Sequence, residues 1–395
     1  MSSGPSDPLR GSRPVLGTER LFDEHFDLIA GKRVGLITNA SGVDSQLRST
    51  ADRLQNNADV KLAALFGPEH GIRGQAADGA PVGSTTDERT GLPVHSLYGP
   101  HRQPDDAMLA GLDLLLFDMQ DVGVRFYTYL YTMALAMAAC ARRGLPFIVL
   151  DRPNPIGGLE LEGNVLEPDF ASFVGLYPIP VRYGLTIGEV AFLFNETFGI
   201  GANLAVVELR GWQRTSYWAD TTLPWTPPSP NMPSVDTTVV YPGTCFVEGT
   251  NISEGRGTTK PFEQLGAPYL DGFRLADHLN ELDLSGCRFR PVHFQPTEGK
   301  YAGEQCQGVQ VHVIDRAAFV PVRTGLEIIT AVRRLWSGDF AWRIPAGGIH
   351  NFDRLAGTNA VRKAIDAGTP VAEILAADHP AQEQFGEERR RFLRY

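Results

Sequence analysis

Glu69 lies in the segment Gly67-Pro68-Glu69-His70-Gly71, where two glycines flank a carboxylate and a histidine. Glycine lets the backbone turn sharply and approach a ligand, and Pro68 stiffens the approach to Glu69. A carboxyl group that is partly withdrawn from water can have its pKa raised enough to donate a proton at neutral pH. We therefore predict that Glu69 is catalytic, with His70 orienting it, contacting substrate or filling a structural position. The structural alternative is a helix cap or an ion pair with Arg73.

Other loops carry the carboxylate, amide, guanidinium and aromatic groups that bind sugar hydroxyls and pyranose faces. They follow apolar strand predictions at 33–38, 112–117 and 147–150. Ligands of open parallel sheets bind beyond the carboxyl ends of the strands, so these loops and Glu69 are predicted to form one cleft. Helix capping by Asp121 and a structural Asp151–Arg152 pair are the alternatives. The substrate-binding candidates in these loops are Asn39, Asp118, Gln120, Asp121, Arg125, Tyr127, Asp151, Arg152 and Asn154.

Further acids are candidates beyond these loops. Glu162 is the first candidate for a second catalytic carboxylate, with an exposed loop acid as the alternative. The Gly-rich stretch 248–259 brings Glu248, Glu254 and Arg256 together, which suits a clamp over a polar ligand. Glu189 follows Thr186 by three residues, so a helix capping box explains it without a role in catalysis.

The elements that position these residues alternate between apolar strands and helices. Continuous apolar strands at 33–38, 61–66, 112–117 and 147–150, separated by helical segments, predict parallel βαβ units in an α/β fold. A helix over 128–143 is predicted to end at Gly144. The later chain mixes strands and helices, and we place the boundary so that the two parts cover residues 15–170 and 171–395.

Composition narrows the class of protein. The net charge is −10, which argues against a nucleic-acid partner. The four cysteines lack metal-site spacing, although Cys287 and Cys306 could pair. Phosphate-loop, dinucleotide, serine-elbow and zinc-helix motifs are absent, so no cofactor or metal is predicted. No apolar stretch is long enough to span a membrane. The polar first 13 residues lack a signal peptide core, which predicts a cytoplasmic protein, or a periplasmic or secreted one if an export segment was trimmed or the start misassigned.

The motifs together resemble one known family. LFGPEHGIRG, SLYG, DMQDVGVRFYTY, DRPNPIGG, PVRYGLTIGE, PPSPN and EGTNISEGRGTTKPFE occur in order over about residues 30–310. Their combination is similar to that of the exo-β-N-acetylmuramidases, long catalogued as the domain of unknown function DUF1343. The resemblance implies a Rossmann-like catalytic subdomain and a second, mixed α+β subdomain that binds substrate and closes the cleft.

The same resemblance implies an activity. Such enzymes remove N-acetylmuramic acid from the non-reducing end of peptidoglycan-derived chains, and the glutamate of the family's Pro-Glu-His-Gly motif corresponds to Glu69. A glycosidase of this kind usually pairs an acid with a second carboxylate, or with the substrate's own acetamido group. The lactyl carboxylate of the substrate needs a cationic or N–H partner. The candidate cations are Arg73, Arg125, Arg152 and Arg256.

Two other classes of function compete with a muramidase. A non-catalytic peptidoglycan- or sugar-binding protein could use the same cleft, although buried acids without a task are costly. A metal-dependent amide or ester hydrolase acting on muropeptides would recruit His70, Glu69, His95 and the acids at 118 and 121. Oligomeric state is not determined by any of these patterns.

Overall fold

A computed structural model describes residues 13–68, 71–73, 85–99, 101–345 and 348–395. Ten strands are found in these ranges, in two sheets. The large sheet contains β1 Arg33–Thr38, β2 Lys61–Gly67, β3 Thr85–Thr86, β4 Pro93–Ser96, β5 Leu114–Asp118, β6 Phe147–Leu150 and β7 Leu204–Val207; the small one contains β8 Gln264–Ala267, β9 Cys287–Phe294 and β10 Cys306–Val313.

The helices of the described chain surround and connect the two sheets. The first four belong to the part that forms the large sheet, and the rest follow it. They are α1 Gly17–Asp23, α2 Thr50–Gln55, α3 Tyr129–Arg143, α4 Ile187–Glu196, α5 Val235–Thr244, α6 Gly272–Glu281, α7 Pro321–Leu335, α8 Asn351–Ala356, α9 Ala360–Ala367, α10 Val371–Ala376 and α11 His379–Arg389.

The large sheet has the strand order β3-β4-β2-β1-β5-β6-β7, and only β3 runs antiparallel to its neighbour. Without β3, the six parallel strands have the Rossmann order, in which the winding reverses between β1 and β5. Thr38 of β1 is level with Asp118 of β5 at that reversal. The carboxyl ends of the strands therefore meet at one edge, as the sequence predicts.

Alternate side chains of each central strand enter different cores. Val34 and Leu36 pack with α1 and α2, whereas Ile37 packs with α3 and α4 on the opposite face. α3 ends at Gly144, whose left-handed backbone (φ 63°) is accessible to glycine without the penalty that a Cβ brings, so the predicted helix end is confirmed.

The small sheet is antiparallel, with β10 between β8 and β9. Cys287 and Cys306 lie near opposite ends of the β9–β10 pair, where they face Val313 and Phe294 respectively. The pairing considered from the sequence is therefore wrong, and all four cysteines are buried free thiols.

The α/β fold class, with a Rossmann-like sheet and a second mixed part, is confirmed. β7 at Leu204–Val207 adds to the large sheet from beyond residue 170. The division at residue 170 stays a prediction. The core on the α3 side of the sheet continues without interruption into α5, α7 and the small sheet, so the two parts share apolar packing.

Candidate active site

A cavity of about 320 Å³ opens beyond the carboxyl edge of the large sheet. Its walls come from the segment after β4, the start of α3, the 229–232 loop, α5 and α8. This places the cavity between the sheet and the C-terminal part of the chain. Its lining residues are Tyr98, Arg102, Phe126, Tyr127, Thr128, Tyr129, Phe173, Val174, Ser229, Asn231, Met232, Tyr241, Cys245, Glu248, Arg256, Phe262 and Leu355.

The predicted catalytic residues Glu69 and His70 lie outside the described residues. Their described neighbours lie at the same sheet edge. Gly67, the last residue of β2, is level with Ser96 of β4, and its carbonyl accepts a hydrogen bond of 2.8 Å from the Leu97 amide. Tyr98 follows directly and lines the cavity. The chain therefore enters the Glu69 segment beside a cavity wall.

Aromatic rings form much of the wall. Phe126 and Phe262 each meet Tyr241 edge to face, with ring centroids 5.3 and 4.7 Å apart. Tyr127 meets Tyr129 in the same way at 4.7 Å. Edge-to-face pairs favour one relative orientation of the rings, so these contacts fix the wall as well as burying it. A wall of this type offers apolar faces together with phenolic hydroxyl groups.

Asn39 supports this wall from behind. Its side-chain amide donates to the Tyr129 hydroxyl at 2.9 Å and to the Pro228 carbonyl at 3.0 Å. The Tyr129 hydroxyl in turn donates to Pro228 at 2.6 Å. Asn39 is 5% exposed. Its hydrogen bonds hold Tyr129 and the 228–231 loop in position.

Glu248 and Arg256 bring opposite charges to the cavity wall. Nη2 of Arg256 donates to Oε1 of Glu248 at 2.7 Å, and its Nε lies 3.4 Å from Glu254. Lys300 pairs with Glu254 at 3.0 Å and donates to the carbonyls of Val247 and Ile252. Burial lowers the pKa of Lys300, and the charge of Glu254 opposes that change. This partly buried lysine holds the predicted clamp in place from outside the cavity.

Several predicted binding residues instead fill the reversal point of the sheet. Asp118 accepts 2.6 Å hydrogen bonds from Arg152 Nε and from the Thr50 hydroxyl, and it is fully buried. Arg152 also donates to the Val43 carbonyl. The side-chain amide of Gln120 donates to the carbonyls of Asp121 and Pro153. Asp118, Gln120 and Arg152 therefore join the loops to each other, and none of these three residues lines the cavity.

Asp121, Asp151 and Asn154 are also buried behind the cavity. Burial raises the pKa of Asp121 to about 6 and that of Asp151 to about 7. Asp121 accepts from Tyr183 and from the Gly123 amide, and Asp151 accepts from Thr186, Gly188 and Tyr395. Asn154 donates to the Leu185 carbonyl. Their hydrogen bonds anchor the loops after β5 and β6.

Arg125 is fully buried, and its guanidinium group donates hydrogen bonds to backbone carbonyls. Nη1 donates to the carbonyls of Asn164 and Ile179 at 2.6 and 2.8 Å, and Nη2 donates to Leu355 and Ala356 at 3.0 and 2.6 Å. Burial lowers its pKa to about 10, so it remains a cation at neutral pH. Arg125 is thus a cross-link between chain segments rather than a group that faces the cavity.

Glu162 and Arg73 have partners outside the cavity. Glu162 accepts from Arg182 at 2.6 Å and from the Val322 amide in the first turn of α7 at 3.1 Å. Both side chains of the pair are mostly buried. Arg73 forms a bidentate pair with Asp87, at 3.0 and 2.9 Å. The capping box predicted for Glu189 and Thr186 is confirmed, and Glu189 also pairs with Arg214.

The sequence reasoning missed most of the wall. Arg102, Phe173, Tyr241 and Cys245 were not among its candidates, because none of them follows the end of a predicted strand. These four residues are recognisable as cavity residues only from their positions in the folded chain. Tyr98 and Asn231 lie within the SLYG and PPSPN motifs, which were noted without a role. Burial raises the pKa of Cys245 well above its usual range, so this cavity thiol stays protonated and is a poor nucleophile.

Neither a metal site nor a membrane helix is found in the described ranges. Among the described residues, no three His, Cys, Asp or Glu side chains cluster so as to hold a metal ion. His95, one of the candidate ligands, packs its ring against Phe66. Over the described part of the chain, no helix combines the length and apolarity that crossing a membrane requires.

The fold and the cavity define an α/β protein with a candidate ligand site at the carboxyl edge of a Rossmann-like sheet. Family sequence models of the N- and C-terminal parts of the exo-β-N-acetylmuramidase NamZ match residues 34–236 and 239–395, respectively. The chain is 51% identical, over 96% of its length and 91% of the relative, to the peptidoglycan β-N-acetylmuramidase NamZ of Bacillus subtilis.

Two solved structures are also similar, both of DUF1343 family proteins from Bacteroides fragilis. The first has a TM-score of 0.90 and 38% identity, and the second has 0.77 and 29%; each comparison covers 97% of this chain and 99% of the other. The chain belongs to the NamZ exo-β-N-acetylmuramidase family and is a glycoside hydrolase.

Proposed function

We propose that this protein is an exo-acting hydrolase that releases N-acetylmuramic acid from the non-reducing end of peptidoglycan-derived chains. The main support is the cavity, whose volume of about 320 Å³ is at the small end of the usual 300–1,000 Å³ for ligand sites. A space of that size suits one terminal sugar better than a long glycan. The relative in Bacillus subtilis is named for activity on peptidoglycan.

The proposed general acid is Glu69. Its segment follows β2 at the sheet edge where Tyr98 enters the cavity wall. Protonation of the leaving oxygen requires a carboxyl group whose pKa is raised toward neutrality. His70 is proposed to orient this carboxyl group.

The proposed second group is Glu248, not Glu162. Glu248 is the acidic side chain among the described residues that line the cavity. Glu162 is held by Arg182 and the start of α7, away from the cavity. Arg256 beside Glu248 would keep this carboxylate ionised and therefore able to act as nucleophile or base. The remaining polar wall groups, Tyr127 among them, would bind the sugar hydroxyls.

The experiment is turnover of a chromogenic N-acetylmuramide and of the disaccharide N-acetylmuramyl-N-acetylglucosamine by wild type, Glu69→Gln and Glu160→Gln. Glu160 is an exposed acid and serves as the matched control. We expect wild type and the control to release free N-acetylmuramic acid, and Glu69→Gln to lose more than about 100-fold in kcat while melting normally. Near-normal turnover by Glu69→Gln would overturn the acid assignment.

The other two classes of function predict different results in the same series. A non-catalytic binding protein would bind the disaccharide without forming product. A metal-dependent amide hydrolase would lose activity with EDTA, recover it with Zn²⁺, and cleave a muropeptide's amide rather than its glycosidic bond. Either outcome would overturn the proposed glycosidase.

A further inference from the structure

Two described cations, Arg102 and Arg256, line the cavity. They differ in their electrostatic surroundings. Arg256 lies between two carboxylates, with Glu248 at 2.7 Å and Glu254 at 3.4 Å, and its guanidinium is 5.1 Å from the centre of the Phe262 ring. Its positive charge is therefore already compensated before any ligand binds.

Arg102 has no such compensation from the residues that the structure describes. Within the described ranges, no Asp or Glu oxygen lies within 4.0 Å of its guanidinium nitrogens. The nearby acids have other partners, since Asp106 pairs with Arg143 and Asp105 accepts from the Met108 amide. The guanidinium lies over the Phe173 ring, 4.6 Å from its centre. A cation on a ring face keeps the N–H groups of its edge available for an anion.

Arg102 also occupies a distinctive place at the cavity. It lines both the cavity and an adjoining surface groove formed by residues 99 and 101–107 with Leu135 and Arg142. It is therefore at the rim, where one ligand group could reach it while the rest of a sugar lies against the aromatic wall. The protein has a net charge of −10, so an anionic ligand needs a local cation to bind.

We propose that Arg102 is the specificity-determining residue that recognises the carboxylate of the acidic sugar. This inference rests on the proposed function, because the lactyl carboxylate is what distinguishes N-acetylmuramic acid from N-acetylglucosamine. A planar guanidinium held on Phe173 matches the two carboxylate oxygens in a bidentate pair. Of the cations considered from the sequence, Arg73, Arg125 and Arg152 are directed to Asp87, backbone carbonyls and Asp118.

The test compares two chromogenic substrates, an N-acetylmuramide and its neutral lactyl methyl ester, with wild type, Arg102→Gln and Arg142→Gln. Arg142 lines the adjoining groove but not the cavity, so it is the matched control. For wild type we expect the acid to be preferred over the ester by about 10- to 100-fold in kcat/KM, as one charged hydrogen-bonded pair provides. Arg102→Gln should treat the two alike, mainly through a higher KM for the acid, while Arg142→Gln keeps the preference.

Other results separate the two proposals. If Arg102→Gln keeps the preference for the acid, or loses equally on both substrates, the recognition role is overturned while the glycosidase stands. If wild type cleaves neither substrate, the proposed function fails, and equilibrium binding of free N-acetylmuramic acid and N-acetylglucosamine tests the arginine directly. In that assay, wild type should prefer the acid, and equal affinity of wild type for both sugars would overturn the inference.

Discussion

The hydroxyl of Tyr395 donates a 2.6 Å hydrogen bond to Asp151, the residue that follows β6, 244 positions earlier in the chain. The same hydroxyl accepts from the Leu209 amide at 2.7 Å, and the ring meets Trp212 edge to face. The C-terminal segment is therefore fastened to the loop after a central strand of the sheet.

Tyr395→Phe is expected to lower the free energy of unfolding by about 1–2 kcal/mol, because the Leu209 amide and Asp151 both lose a buried partner. The loss should be larger above pH 7, the approximate pKa to which burial raises Asp151, because the hydroxyl bonds most strongly to the ionised carboxylate. Urea unfolding at pH 6 and pH 8.5 measures both effects. Tyr177→Phe is the control, since no hydrogen bond of the Tyr177 hydroxyl is found among the described residues; equal losses in the two variants would contradict the assigned contact.

Asp121→Asn is expected to change how stability depends on pH. Burial raises the pKa of Asp121 from 3.8 to about 6, so between these values the native state binds more protons than the unfolded state. Its contribution is therefore fully present below about pH 4 and falls as pH rises to about 6, by about 3 kcal/mol. Relative to wild type, the variant should gain stability by a similar amount from pH 4 to pH 7. A constant difference across that range would refute the raised pKa of Asp121.

Gly325→Ala is expected to be strongly destabilising. A Cβ at Gly325 in α7 would collide with the Gly243 carbonyl oxygen of α5, and backbone atoms cannot move aside as a flexible side chain can. The two helices must separate, which should cost about 3 kcal/mol or more. Thermal unfolding measures the change. Gly338→Ala has open space for its Cβ and should cost little; similar melting temperatures for the two variants would show that the helices tolerate the separation.

We expect Glu162→Gln to lower mainly the stability of the protein and Glu248→Gln to lower mainly its activity. The first leaves the buried Arg182 without its carboxylate and should cost about 3 kcal/mol of stability, with kcat retained at temperatures where the protein is folded. The second should leave the melting temperature nearly unchanged and lower kcat by about 100-fold or more. Its residual activity should lose the low-pH limb, because the proposed base is gone. Reversed effects would exchange the assigned roles of the two acids.

The sequence predicts the sheet well because its strands are short apolar runs ended by turn residues. β1 and β6 have the predicted bounds. β4 was missed because it is four residues long and begins with a proline, and α5 because it is rich in β-branched residues and contains Pro242. In both cases tertiary packing overrides weak local preference. These two elements carry Tyr98 and Tyr241 to the cavity, so of the aromatic wall only Tyr127 was among the predicted binding residues.

The site was predicted less completely than the fold. A strand-end position indicates which edge a polar residue approaches, but not which partner it meets there. Asp118, Arg152 and Asp151 reach the predicted edge and are then used by each other and by buried hydroxyl groups. Arg102 has no strand-end signal and is recognisable only once the cavity and its uncompensated charge are seen together.

Arg125 has one further consequence for how ligands enter. Its guanidinium ties carbonyls at 164 and 179 to the end of α8, and the apolar core runs without interruption between the same parts of the chain. Opening the two parts as a hinge would strip a buried cation of three of its four acceptors, those at 179, 355 and 356, which is costly. We therefore expect the cavity to be preorganised, so that the protein loses little conformational entropy when a ligand binds. The sugar is then selected at the rim of the cavity and not by closure of the whole molecule.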